Sequence, residues 1–241
     1  MITQIKERGL VLPNIGVKME KQMYPPPAGS VLYLSGYPPL GATIIDHSGQ
    51  GNHGTITDAT WTRLASGLWC LSFDGTGDNV ALPAAVGLNS AGTIKIWART
   101  TNKTLTNQYI YTDCQDGSNE LILTWVGNLD AGISFNGYDN AAYQFQLAYA
   151  NTNLANNTWY HIVACFQDND ARLYVNGVLR DSDNTVNMDA YTHVKNHIGY
   201  YSGDTAWAFN GNLALPTVMT SVWSDAQALN NFNQERHFFG I

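Results

Sequence analysis

The stretch WYHIVACFQDNDARLYVNGVLRD, from Trp159 to Asp181, restricts the fold more than any other part of the chain. In YHIVACF and ARLYVNG, alternate residues can face opposite sides of a sheet. The QDND segment between them supplies a turn. Asn176-Gly177 can adopt the positive φ values of a tight type I′ turn, whose twist matches that of the flanking strands. Two successive hairpins follow, and three strands joined by turns this short are antiparallel.

The same grammar continues on both sides. From Ser30 onward, short runs rich in Val, Ile, Thr and aromatics alternate with Gly, Asn and Asp clusters: VLYLSG, GTITDATWTRL, LWCLSFDG, NVALP, TIKIWART, QYIYTDC, LILTWVG, GISFNG, AYQFQLAY, HIGYY and LALPTVMTSVW. One segment, Ser224 to Arg236 (SDAQALNNFNQER), reads as a helix with Ser224 as its N-cap and Asp225 in the first turn. With 44% hydrophobic and 13% charged residues, 241 residues can bury a sizeable core as one all-β unit. Residues 1–30 differ, combining a charge cluster with the triple proline Pro25 to Pro27. Their apolar residues Leu10, Val11, Leu12, Ile15, Val17 and Met19 exceed what a solvated tail needs, so the expectation is an assembly arm (1–30) ahead of one domain (31–241).

A formal charge of −7 with no Lys/Arg run argues against nucleic acid and anionic lipid as partners. No stretch approaches the roughly 18 to 20 apolar residues of a membrane helix, so membrane insertion is not expected. MITQIKERGLVLPNIG lacks the pattern of a secretory signal. Of the three cysteines, Cys70 and Cys165 lie in apolar runs and read as small buried hydrophobes, and with Cys114 they make no disulfide framework.

Taken in order, DHSGQGNHGTITDATW, LSFDGTGDNVALP, TIKIWART, NTWYHIVACFQDNDARLYVNGVLRD and IGYYSGDTAWAFNGNLA resemble the laminin-G-like branch of the concanavalin A-like lectin/glucanase superfamily over roughly Val31 to Arg236. The resemblance implies a jelly-roll sandwich of two antiparallel sheets, one concave, with rim loops that in some members bind calcium or sugar. The ending QERHFFGI is similar to the endings of laminin-G-like proteins from phage structural gene clusters. Fold alone leaves function open, because this sandwich hosts glucanases, lectins, adhesion modules and spacers.

Catalysis is not expected. A retaining glycosidase needs two carboxyl groups about 5 to 5.5 Å apart, and the family's glucanases supply them as E-x-D-x-x-E. The four glutamates, Glu7, Glu20, Glu120 and Glu235, include none in that pattern. Glu120 reads as a rim or edge residue facing water. The close pairs Asp168/Asp170 and Asp181/Asp183 sit in apparent turns, where Asp caps local N–H groups. No cofactor is required. Calcium is the one metal to weigh, with Asp46, Asp74, Asp78 and Asn79 in loops that could meet at one rim. Against that, many members read F-N-G-x-I-D-E-V where this chain reads FNGNLALPTV, with Pro216 replacing the acidic position. His193 and His197 are four apart but lead into a strand, which is not a zinc face.

Sugar contact needs exposed aromatic faces with amide or carboxylate partners. Two segments offer them: YYSGDTAWAFN, with Tyr200, Tyr201, Asp204, Trp207 and Asn210, and FNGYDNAAYQFQ, with Tyr138, Asp139, Asn140 and Tyr143. Trp207 shares parity with Phe209 and could instead point into the core. The expectation is a non-enzymatic accessory protein of a phage particle, assembled in the host cytoplasm. Its arm would bind capsid or tail proteins and a neighbouring copy in a homo-oligomer, and its outward-facing jelly-roll could touch cell-surface glycans. The alternative is an extracellular carbohydrate-binding module, free or part of a secreted glycan-active enzyme.

Overall fold

In the computed structural model of the chain, the described residues are 25–37, 41–115, 119–127, 132–188, 193–201 and 207–241. Their strands, numbered in chain order, form two sheets. Sheet I runs β14 (Val178–Asp183), β13 (Asp170–Val175), β12 (Tyr160–Gln167), β7 (Gly92–Thr100), β16 (Asn210–Met219), β5 (Trp69–Asp74) and β4 (Thr60–Arg63), with β1 (Ser30–Tyr33) also paired to β16. Sheet II runs β11 (Ala142–Tyr149), β10 (Gly132–Asp139), β9 (Glu120–Val126), β8 (Gln108–Cys114), β15 (Lys195–Ile198), β6 (Asn79–Leu82), β3 (Gly54–Thr57) and β2 (Thr43–Ile44). Every pairing is antiparallel. The expected two-sheet sandwich is the observed fold. The two hairpins read from Trp159 to Asp181 are β12–β13–β14, with Asn176 (φ 54°) and Gly177 (φ 73°) in the left-handed conformations of the tight turn.

The core lies between the sheets. Ile94, Ile96 and Ala98 of β7 and Ile162, Ala164 and Phe166 of β12 meet Leu121, Leu123 and Trp125 of β9 and Ile133 and Phe135 of β10 in one cluster. This is period-two alternation with one face buried against the partner sheet.

The residues of opposite parity on sheet I are covered as well. Helix α1 (Asp225–Glu235) starts at Ser224, whose side chain accepts from Gln227 N while Gln227 Oε1 accepts from Ser224 N, a reciprocal capping box. The helix and the 3₁₀ turn Arg236–Phe239 after it cover Trp97, which stacks on Phe239 at 4.0 Å and on Phe232 at 6.0 Å. Beneath them Lys95 is fully buried and reaches Glu235 Oε1 at 2.9 Å and Oε2 at 3.1 Å. The ending QERHFFGI is therefore a lid on sheet I. Pro216 has a local cause too: β16 changes register between Ala214 and Thr217, Leu215 takes φ 51°, and its carbonyl accepts from Lys95 Nζ at 3.1 Å. A bulge is a position where a strand tolerates a residue with no N–H.

Cys70, Cys114 and Cys165 are buried, and none of them forms a disulfide. Burial pushes the thiols of Cys70 and Cys165 up to about 11, so both are inert at neutral pH. Of the proposed arm, residues 1–24 lie outside the described residues, and with them Leu10, Val11, Leu12, Ile15, Val17 and Met19. At its end Ser30 donates from both N and Oγ to the Pro27 carbonyl, a turn that leads directly into β1.

Candidate functional site

Among the described residues, the outer face of sheet II carries aromatic rings and a carboxylate with no helix across them, whereas α1 covers that of sheet I. Residues directly opposite in an antiparallel ladder share a face, so the register defines rows. One row is Lys195–Cys114–Glu120–Tyr138–Tyr143, across β15, β8, β9, β10 and β11. The next is His197–Thr112–Ile122–Asn136–Gln146, and a third joins Tyr109, Thr124, Ser134 and Ala148. A register shift between Tyr109 and Tyr111 turns Tyr109 outward while Ile110 and Tyr111 stay in the core.

The chain leaving β15 lies on this face. Tyr200 O accepts from Thr112 Oγ1 at 3.0 Å, and Tyr201 donates its hydroxyl to Glu120 Oε1 at 2.7 Å. The Tyr109 ring stacks on Tyr201 at 5.1 Å and on Trp207 at 5.8 Å. Tyr138 and Tyr143 lie 4.3 Å apart on the other side of Glu120. Burial, and then the hydrogen bond to Glu120, hold the Tyr201 hydroxyl well above the usual phenol range; burial and the Tyr143 hydroxyl do the same for Tyr138. Both phenols are therefore protonated donors at any physiological pH.

The two aromatic segments singled out in the sequence thus flank one carboxylate. Tyr201, Trp207, Tyr138 and Tyr143 belong to this surface, and Tyr143 is 54% exposed. Trp207 diverges from Phe209: Phe209 is in the core while the half-buried indole stacks on Tyr109. Asn210 faces elsewhere, with its amide on Asp74 O and Thr101 Oγ1 in the β5 and β7 neighbourhood. Asp139 and Asn140 bond each other in the β10–β11 turn, and Asn140 N donates to Asn119 Oδ1. Asp204 lies outside the described residues. Glu120 corrects the expectation of a water-facing rim residue: at 5% exposure it sits within the face, because Tyr201 folds over it. Tyr109 is the residue of this face that the sequence alone did not single out.

The loop carboxylates serve their own turns. Asp46 accepts from Tyr33 N, Ser48 N, Ser48 Oγ and Asn52 N, all within 2.8–2.9 Å. Burial raises its pKa, but these donors outweigh burial and leave it below the usual carboxylate range. With four donors on its two oxygens, Asp46 does not fit a calcium ligand, which needs those lone pairs. Asp78 Oδ2 accepts from Asp74 N, Asp74 Oδ1 from Thr76 N, and Asn79 Nδ2 donates to Gly77 O. Burial and the nearby Asp74 and Asp58 hold Asp78 above its ordinary value. Among the described residues, no group of three or more His, Cys, Asp or Glu is gathered for a metal ion. His193 contacts Asp113 Oδ1 through Nδ1 at 2.6 Å and Asn89 Oδ1 through Nε2 at 3.0 Å, while His197 stands on the outer face, so the two do not converge.

No curated protein sequence matches the chain significantly. Among solved structures, domain 4 of AbnA, a GH43 extracellular arabinanase from Geobacillus stearothermophilus in complex with arabinotriose, superposes with a TM-score of 0.71 at 14% identity, over 83% of this chain and 97% of that one. The botulinum neurotoxin serotype D binding domain does so with a TM-score of 0.67 at 15% identity, over 85% and 51%. Trypanosoma rangeli sialidase gives 0.67 at 17%, over 88% and 34%, so the chain corresponds to about half and about a third of these last two. At these identities the likeness is one of fold. The profile of the Laminin_G_3 family matches residues 74–228, well over half the chain, and the protein belongs to that family of the concanavalin A-like lectin/glucanases superfamily.

Proposed function

We propose that the protein is a non-catalytic glycan-binding module whose contact surface is the outer face of sheet II between Trp207 and Tyr143. The observation that carries this reading is the joining of two aromatic patches through Glu120 and Tyr109. Sugar rings present C–H faces that stack on such rings, while their hydroxyls bond phenol and carboxylate oxygens. The arabinotriose-bound arabinanase domain and the toxin binding domain, similar in fold, support a binding role. The rows described above hold a single carboxylate, which favours binding over a two-carboxylate hydrolysis.

On a glycan array, Tyr201→Ala and Trp207→Ala are each expected to weaken capture of the bound glycan by about tenfold or more, as for an aromatic anchor. Binding that survives both changes would place the site elsewhere, and an array with no bound member would remove the glycan reading.

A second reading attaches the module to a phage particle, with capsid or tail proteins and a neighbouring copy as partners of the arm. It is favoured by the ending QERHFFGI and by the apolar residues Leu10 to Met19. The packing role of that ending on sheet I gives the resemblance a structural cause of its own. Deleting residues 1–24, which spares the Ser30–Pro27 turn, is expected to abolish particle association and any oligomer seen by light scattering while the melting transition persists. Truncated protein that still joins the particle would overturn this reading.

A further inference from the structure

We infer that the sheet II surface, read as a glycan site, takes a linear glycan chain bound along its length, about three or more sugar units laid across the strands, and not a single terminal sugar. The inference rests on the glycan reading above and adds the size of the ligand and its mode of attachment.

The rings of this face fall into two groups. In the first, Tyr109 is 6% exposed and stacks on Tyr201 and Trp207, which are half-buried. Tyr109 therefore positions the other two, and they present the ring surface. In the second, Tyr138 and Tyr143 lie 4.3 Å apart across the β10–β11 ladder, with Tyr143 well exposed. The register sets the distance between the groups. Tyr109 is opposite Thr124, which lies four residues along β9 from Glu120; Glu120 is opposite Tyr138, and Tyr138 is opposite Tyr143. From β8 to β11 there are three strand spacings, so Tyr109 and Tyr143 stand at the ends of a diagonal on the order of 15 to 20 Å between Cα atoms. A single sugar ring covers about one strand spacing. A sugar stacked on Trp207 is therefore out of reach of Tyr143, and a ligand that touches both groups has further units between them. Tyr201 spans part of that gap, because its ring lies 5.1 Å from that of Tyr109 while its hydroxyl is 2.7 Å from Glu120 Oε1.

The shape of the face agrees with the span. β11 is the edge strand of sheet II, so among the described residues no further strand walls off the Tyr143 end, and a chain can run on past it. A site for one terminal sugar needs the opposite, a concave pocket that buries most of a single ring. Two weak contacts on one chain also reinforce each other, since the second forms at high effective concentration once the first is made. Affinity is therefore expected to climb with chain length until both ring groups are reached, and then to level off.

The test uses the full chain on an array of linear glucan, mannan, xylan, galactan and arabinan oligomers of one to six units, beside branched glycans that end in the same sugars. Titration calorimetry then follows the length series of the best binder. Affinity is expected to rise by about tenfold or more from the dimer to the tetramer and to change little from there to the hexamer. Tyr143→Ala, at an exposed position on the edge strand, and Tyr138→Ala are each expected to bring the tetramer-to-dimer ratio down to within about threefold, with thermal melting to confirm that the variants fold. A monomer or dimer that binds the wild type as tightly as the tetramer, capture of branched glycans through their terminal sugars alone, or a ratio unmoved by both variants overturns the chain inference and leaves the glycan reading standing. An array with no bound member overturns both.

Discussion

Glu235→Ala is expected to destabilise the protein by about 3–5 kcal/mol, lowering the melting temperature by roughly 10 °C for a domain of this size. Lys95 Nζ has three acceptors, Glu235 Oε1 and Oε2 and the Leu215 carbonyl, and Glu235 also accepts from Trp97 Nε1 at 2.6 Å and Asn231 Nδ2 at 3.1 Å. Removing the carboxylate leaves a fully buried ammonium facing one carbonyl, and an indole N–H with no acceptor. Burial alone pulls Lys95 down, and it outweighs the attraction of Glu235, so the lysine lies below its ordinary value even with its partner present. The charge is tolerated because it is paired, and the pair is not a large net gain over apolar packing. Lys95→Met combined with Glu235→Leu is therefore expected to recover most of the loss, and a double-mutant cycle by urea denaturation gives the coupling. A cost under about 1 kcal/mol for Glu235→Ala would mean that the helix is held by Phe232, Phe238 and Phe239 alone.

The same region shows what could and could not be read from the residues. The hairpins at Asp168–Asn169 and Asn176–Gly177 and the Ser224 cap were legible, because turn and cap chemistry is local and a few side chains decide it. Pro216 is legible as a departure from the family pattern, but it sits in a bulge whose Leu215 carbonyl accepts from Lys95, 120 positions earlier in sequence, which no local pattern reports. In sequence, QERHFFGI is legible only as a resemblance. Its physical content, a carboxylate on Lys95 and rings on Trp97, needed the third dimension. At the candidate site both aromatic segments are visible as composition, whereas Glu120 reads as water-facing because nothing local to SNELILTW reports that Tyr201 folds across it. Tyr109 was hidden by a register shift, since strict alternation assigns Tyr109 and Tyr111 to one face and the ladder separates them.

Acidification from pH 7 to pH 4 is expected to remove about 3 kcal/mol of stability through His161 alone. His161 lies on the outer face of sheet I between Trp97, 5.0 Å away, and Phe232, 5.8 Å away. Glu235 can only accept, so Asn231 turns its NH₂ toward Glu235 and its Oδ1 toward His161 Nε2 at 2.8 Å, which places the imidazole proton on Nε2. Nδ1 is buried with no partner among the described residues, so a second proton would enter there without an acceptor. Burial, reinforced by the Lys95 charge and opposed by Glu235 and the Asn231 bond, holds His161 at about 4 against an ordinary value of 6.5. Between those two values the unfolded chain binds a proton that the native state does not. Stability therefore falls as pH drops through that window, and this contribution levels off below about 4. Glu235 acts in the same direction at lower pH: burial raises it, but Lys95, His161 and the hydrogen bonds from Lys95 and Trp97 hold it below its ordinary value, so its stabilisation is lost as it protonates. Urea denaturation of the wild type at pH 7, 5.5 and 4 measures the slope. His161→Phe, which keeps an aromatic ring between Trp97 and Phe232 but cannot titrate, is expected to flatten it between pH 6.5 and 4.5 even if the variant is less stable at every pH. A variant with the wild-type slope would assign the acid sensitivity to a group other than His161.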